Sequence, residues 1–144
     1  EHPQLFSQYC DTQLVRKVRS VYDTHTSRPS KLQRDISTTL VQIGWEHESE
    51  YVTEDGLSLD MAQPGSKRGV EVDGPTHFVR DVSTRESKST WVENGSTRLK
   101  SRLLEARGWT LIHVPFFEWH RLAEHERAAY LEAELKEAGF FTVR

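Results

Sequence analysis

Two tight turn signals cut residues 46–73 into three short runs, and that spacing leaves little besides an antiparallel meander. Glu54-Asp55-Gly56 separates Glu46–Val52 from Leu57–Ala62, and Gln63-Pro64-Gly65-Ser66 separates the second run from Gly69–Asp73. Runs this short read as strands, and hairpin-like connections join antiparallel neighbours. In the second run Leu57, Leu59 and Met61 alternate with Ser58 and Asp60, which predicts one apolar face with Asp60 on the other. The same alternation puts Glu71 and Asp73 together on the third run, and Gly74-Pro75 then turns the chain so that His77 stays close. If the strands pair in register, Asp60 lies on the same side as Glu71 and Asp73.

The flanking segments read as helices. Ser30 is an N-cap with Gln33 three residues on, and Leu32, Ile36, Leu40 and Ile43 recur at helical spacing up to Gly44. Residues 79–95 are polar with little periodicity and read as a loop closed by Asn94-Gly95. Thr97 or Ser96 then caps a helix with Leu99, Leu103 and Leu104 inward, ending at Gly108. Trp109–Val114 is almost continuously apolar, which predicts a central, buried strand stopped by Pro115. An aromatic turn, Phe116-Phe117-Glu118-Trp119, leads to a last helix with Leu122, Tyr130, Leu131 and Leu135. A helix between the third and fourth strands is a crossover, so that pair should be parallel. The fold class is α/β, a small mixed sheet with flanking helices. Residues 30–144 form the domain. Residues 1–29 are a polar extension, partly flexible or belonging to an upstream domain, with a thin helical face at Val15, Val18, Val21 and Tyr22.

Composition narrows the functions. The 144 residues suit one domain. A single cysteine, Cys10, excludes an intramolecular disulfide and a cysteine-based zinc site. No apolar run approaches a membrane span, and nothing resembles a signal peptide. The first residue, Glu1, points to a piece of a longer protein. A net charge of −3 argues against a free-standing, high-affinity nucleic-acid binder. Residues 80–107 nevertheless carry seven basic against four acidic side chains, so an anionic polymer would meet the chain just after the carboxylate strand.

Two acids and an imidazole at a strand end suit a divalent cation or proton transfer. Hard oxygen donors at Asp60, Glu71 and Asp73 fit Mg²⁺ or Mn²⁺, and His77 is placed to act as a base or as a hydrogen-bond partner of Asp73. Lys100, at the start of the crossover helix, is either a phosphate contact or a solvated lysine. The plainer alternative pairs Glu71 and Asp73 with basic side chains. His113, between Ile112 and Val114, reads as a satisfied core histidine, and Trp109 and Trp119 as core or corner residues.

The blocks Glu71-Val-Asp-Gly-Pro-Thr-His-Phe78, Asn94-Gly-Ser-Thr-Arg-Leu-Lys100, Leu103-Leu104, Gly108-Trp109 and Val114-Pro-Phe-Phe-Glu-Trp119 closely resemble the RAP domain, an RNA-binding domain abundant in apicomplexans. The likeness runs from roughly Trp45 to Leu122. It implies a restriction-endonuclease-like PD-(D/E)XK core, near the very-short-patch-repair endonucleases. Asp60 then matches the first metal-binding aspartate and Glu71 the second acid. Asp73 stands where the nuclease lysine would be, and Gln33 near the acid often found on the first helix. The resemblance also implies a C-terminal domain of a mitochondrial or plastid protein, whose upstream helical repeats bind ribosomal or messenger RNA. A metal-dependent endoribonuclease using Asp60, Glu71, Asp73 and His77, with Arg98, Lys100 and Arg102 on RNA, is one reading. A catalytically inactive nuclease-like module is the other. A docking module for protein, suited to the net negative charge and the aromatic turn, is a third.

Overall fold

The computed structural model describes residues 29–81 and 90–141. The helix expected near residues 11–22 and nearly all of the proposed extension lie outside the described residues. Helix α1, Lys31–Gln42, starts where the Ser30 hydroxyl accepts the Gln33 amide at 3.0 Å, as the capping pattern requires. Three strands follow, β1 Glu48–Val52, β2 Ser58–Gln63 and β3 Arg68–Asp73. A two-stranded ribbon comes next, β4 Phe78–Asp81 with β5 Thr90–Glu93. Helix α2, Gly95–Ala106, then crosses to β6, Thr110–Pro115. The one-turn helix α3, Phe116–Trp119, and helix α4, Glu124–Glu137, complete the order.

The main sheet runs β1-β2-β3-β6. The first two pairings are antiparallel and β3–β6 is parallel, as the turns and the crossover predict. Alternation along β3 and β6 sends Val70, Val72, Ile112 and Val114 to one face. There they pack with Ile36 and Leu40 of α1 and with Leu131 and Leu135 of α4. Truncating any of these fully buried leucines to alanine should cost about 2–5 kcal/mol. Asp35 ties the two helices together, accepting from Trp119 Nε1 at 3.0 Å and Arg127 Nη1 at 2.8 Å. The opposite face carries a smaller cluster of Leu59, Ala62, Leu104 and Trp109 beneath α2. Gly69 sits in a tight spot there: a Cβ on it would lie 3.0 Å from both Leu59 and Leu111 methyls.

Several local expectations are overturned. β6 is an edge strand of its sheet rather than a central one, and its burial alternates. Its apolar run reflects helices covering one face and Leu111 packing under α2 on the other. Residues 79–95 hold the β4–β5 ribbon rather than only a loop. Asn94, not Ser96 or Thr97, caps α2, its side chain accepting the Thr97 amide at 2.9 Å. Leu104 is buried, but Leu99 and Leu103 are 58% and 37% exposed, because α2 meets the sheet along a narrow seam. Leu57, Leu59 and Met61 do not share a face either: Met61 joins the large core while Leu57 and Leu59 join the smaller one.

Candidate functional site

That last departure builds the site. The β2–β3 ladder pairs Gln63 with Arg68, Ala62 with Gly69 and Met61 with Val70, and goes no further. Beyond it the Val72 amide donates to the Asp60 carboxylate at 2.7 Å. A side chain has replaced the strand's carbonyl as acceptor, so the two strands part and Asp60 is clamped against β3. On β1 the matching residue, Glu50, has φ +53°, a left-handed backbone uncommon outside glycine and asparagine. The Gln33 side chain donates to Glu50 Oε1 at 2.6 Å. Gln33, Glu50, Asp60 and Glu71 thus link α1, β1, β2 and β3, with Gln33 holding an acid rather than being one.

Glu71 and Asp73 point to the α2 side and are 3% and 1% exposed. Lys100 Nζ donates to Glu71 Oε2 at 2.7 Å, while Glu71 Oε1 is buried and has no hydrogen-bond partner among the described residues. Burial pushes the Glu71 carboxyl up; Lys100 opposes this and Asp60 adds to it, leaving it at about 7. Burial also raises Asp60, against the Val72 hydrogen bond and the Lys100 charge, with the Glu50 charge adding to the rise.

Asp73 sits between two imidazoles. His113 Nδ1 is 2.7 Å from Oδ2, and His113 Nε2 is 3.2 Å from Ser101 Oγ. Ser101 also donates to the Thr97 carbonyl at 3.1 Å. A hydroxyl has one hydrogen, so with that proton spent on Thr97 the His113 Nε2 is placed to donate to the Ser101 oxygen. Burial alone would lower this histidine, but the Asp73 hydrogen bond and the charges of Asp73, Glu71 and Glu93 outweigh it and hold it above its usual value. His77 Nδ1 lies 2.9 Å from Asp73 Oδ1 but out of line for a hydrogen bond, facing the Thr97 hydroxyl at 3.4 Å instead. Oδ1 is therefore close to an imidazole, yet among the described residues no donor is aimed at it.

The expected residues are brought together in two groups rather than one. Asp60 and Glu71 adjoin each other and Lys100. Asp73 and His77 form the second group with His113, which the sequence placed in the core and not in the site. Asp60, Glu71 and Asp73 do not make a three-ligand set. Among the described residues the one trio of candidate ligand atoms within 4.8 Å of one another is Asp73, Glu93 and His113. Lys100 points inward to Glu71, whereas Arg98 and Arg102 line a separate hollow of about 310 Å³ beside Glu93 and His113. A cleft of about 160 Å³ between Glu71, His77, Lys100 and His113 opens onto the paired groups. Glu50 and Glu93 were missed altogether.

A family model described as the RAP domain matches residues 70–134. "RAP domain-containing protein, chloroplastic" from Oryza sativa subsp. japonica is 34% identical over 103 residues. That alignment takes in 71% of this chain and 15% of the relative, so this chain corresponds to a small part of that protein's length. The match to the family model starts at Val70, placing Glu71, Asp73, His77, Lys100 and His113 inside it and Glu50 and Asp60 before it. The resemblance carried by the blocks from Glu71 to Trp119 holds, and the chain carries a RAP domain.

Proposed function

We propose that this chain is an RNA-associated domain acting in an organelle on RNA processing, stability or translation, as a divalent-cation-dependent endoribonuclease with a PD-(D/E)XK-like core. The RAP match supports RNA association, and the chloroplastic relative supports a plastid or mitochondrial setting. Ribosomal or messenger RNA and upstream helical repeats are the partners this reading implies.

One observation carries the enzymatic part: among the described residues the buried Glu71 Oε1 has no hydrogen-bond partner, although it lies beside Asp60. A buried carboxylate oxygen without a donor is costly unless a cation or a proton meets it. Asp60 and Glu71 are hard donors of the kind Mg²⁺ and Mn²⁺ use, one or two carboxylates completed by water. Bound there, such an ion would lower the pKa of a water and offset the charge growing on a phosphodiester. Asp60 is kept in place by the Val72 amide. Lys100 brings a positive charge to Glu71 from α2, serving the position where Asp73 replaces the nuclease lysine. Asp73 holds His113, and His77, with a 36% exposed side chain, can exchange a proton at the cleft.

The test is RNA cleavage by the chain with Mn²⁺ or Mg²⁺, compared with Asp60→Asn and Glu71→Gln. The proposal expects a loss of about tenfold or more in each variant, the scale of weakened metal sites. Equal rates in all three proteins refute the enzyme. The inactive-module reading draws on Gln33, an amide where the first-helix acid is expected. RNA bound without substitution-sensitive cleavage would establish it.

A further inference from the structure

We infer a second cation site, built from Asp73, Glu93 and His113, that takes a borderline transition-metal dication of the Zn²⁺ class and clasps the β4–β5 ribbon to the end of the main sheet. Three observations lead to it. The three ligand atoms already lie within 4.8 Å of one another, contributed by β3, β5 and β6. Asp73 is 1% exposed and, among the described residues, its buried Oδ1 has no hydrogen-bond donor, so one carboxylate oxygen of a group member stands unmet. The imidazole and two carboxylates form a mixed nitrogen–oxygen set, which suits Zn²⁺, Co²⁺ or Mn²⁺ far better than Mg²⁺. These three protein ligands leave a fourth position for water, as in open zinc sites.

The site shares no ligand with Asp60 and Glu71. Its role follows from where its ligands sit. The ribbon is a separate sheet whose own ladder Asn94 extends with hydrogen bonds to the His77 and Thr76 carbonyls at 2.8 and 2.7 Å, and it meets the rest of the fold through ring contacts of Phe78 and Trp91 with Phe116 and Phe117. Glu93 is the last residue of that ribbon, directly before the cap of α2. An ion held there ties β3, β6 and the ribbon at one point, and it takes the place of the proton now shared by His113 Nδ1 and Asp73 Oδ2.

The experiment titrates the tag-free chain with Co²⁺, read by its visible d–d absorption, and with Zn²⁺ by calorimetry in excess Mg²⁺. With excess Mg²⁺ present in both titrations to occupy Asp60 and Glu71, the expected result is one further ion per chain with the absorption of a low-coordinate nitrogen–oxygen site. Affinity should fall by about tenfold or more in Glu93→Gln and in His113→Asn and stay unchanged in Glu71→Gln. Amide exchange of the ribbon should slow on Zn²⁺ addition in the wild type alone. Glu93 is only half-buried, so Glu93→Gln tests the site even if His113→Asn fails to fold. No uptake, uptake equal in Glu93→Gln and the wild type, or uptake lost in Glu71→Gln would overturn the site. A negative cleavage assay, by contrast, leaves it standing.

Discussion

Replacing Glu71 by glutamine should make the domain more stable, and increasingly so as the pH rises. Glu71 is 3% exposed and its carboxyl is held at about 7 in the folded chain against about 4.5 for an ordinary glutamate in water. Burial is the main cause, and the charge of Lys100 recovers only part of what is lost. Below pH 4.5 the group is protonated whether the chain is folded or not, and it costs nothing. Between there and about 7 the unfolded chain ionises first, so wild-type stability falls as the pH rises, and above about 7 the full cost is present. A carboxyl held at about 7 rather than 4.5 weighs about 3 kcal/mol against the fold once it is ionised in both states. Glutamine keeps the shape and carries no charge. Urea unfolding followed by tryptophan fluorescence at about pH 5 and about pH 8 isolates the effect, because packing changes of the amide are the same at both and drop out. The gap between variant and wild type should widen by about 2.5 kcal/mol across that range, since at about pH 5 part of the cost is already present. His113, also held above its usual value, titrates in both proteins; Asp73 is the main cause of that rise, and only the smaller part due to the Glu71 charge differs between them. A gap that stays constant with pH, or narrows, would refute the claim that Glu71 is a strained carboxylate kept for its chemistry. The same substitution removes the proposed cation ligand, so greater stability and lost cleavage should arrive together, the trade-off expected at a functional group.

Two further predictions test the frame that holds the site. Gly69→Ala should destabilise by about 1–3 kcal/mol in thermal or urea unfolding, because the new methyl meets Leu59 and Leu111 at 3.0 Å. Asn94→Ala should cost about 1 kcal/mol through loss of the α2 cap and should speed amide exchange in the β4–β5 ribbon, since the Asn94 side chain also donates to the Thr76 carbonyl.

The turns, the crossover and the alternation along β3 were legible because each is a local pattern. Pro64-Gly65 and Asp55-Gly56 need no distant partner to bend the chain, and the period of two in Gly69–Asp73 places Glu71 and Asp73 on one face whatever covers it. Position within the sheet is different. Whether β6 is central or at an edge depends on which strands lie beyond it, and nothing in Trp109–Val114 encodes that. His113 read as core because its neighbours Ile112 and Val114 are core; its own side points the other way, toward Ser101 and Asp73. A period-two reading of β6, which sets His113 opposite Ile112 and Val114, would have found it. The ribbon also left a signal, since Phe78-Val79 and Trp91-Val92 are strand-prone pairs on either side of a polar run. Glu93 joins the site only because that ribbon folds back, so it had no local signature.

Glu50 left the least trace and supports the most specific test. The β1–β2 pairing skips Glu50 and Asp60 although the register on both sides is continuous, and Glu50 takes φ +53° there. A left-handed backbone costs an L-residue about 1–2 kcal/mol, and strain of this kind persists where surrounding structure enforces it, often at functional sites. Here the enforcing contacts are the Gln33 hydrogen bond and the clamp on Asp60. Glu50→Gly and Glu50→Ala both remove the carboxylate and both strand the Gln33 amide, so comparing them isolates the backbone. In an ordinary strand glycine is the worse choice by about 0.5–1 kcal/mol. At this position the order should reverse, with the glycine variant more stable than the alanine variant by about 1 kcal/mol in urea unfolding. Alanine equal to or better than glycine would mean that Glu50 relaxes to an extended backbone in solution, and that β1 and β2 pair without a break. Asp60 would then follow regular alternation and lose the geometry that brings it to the Val72 amide, so the parting of the strands and the assembly of the acidic site stand or fall on the same residue.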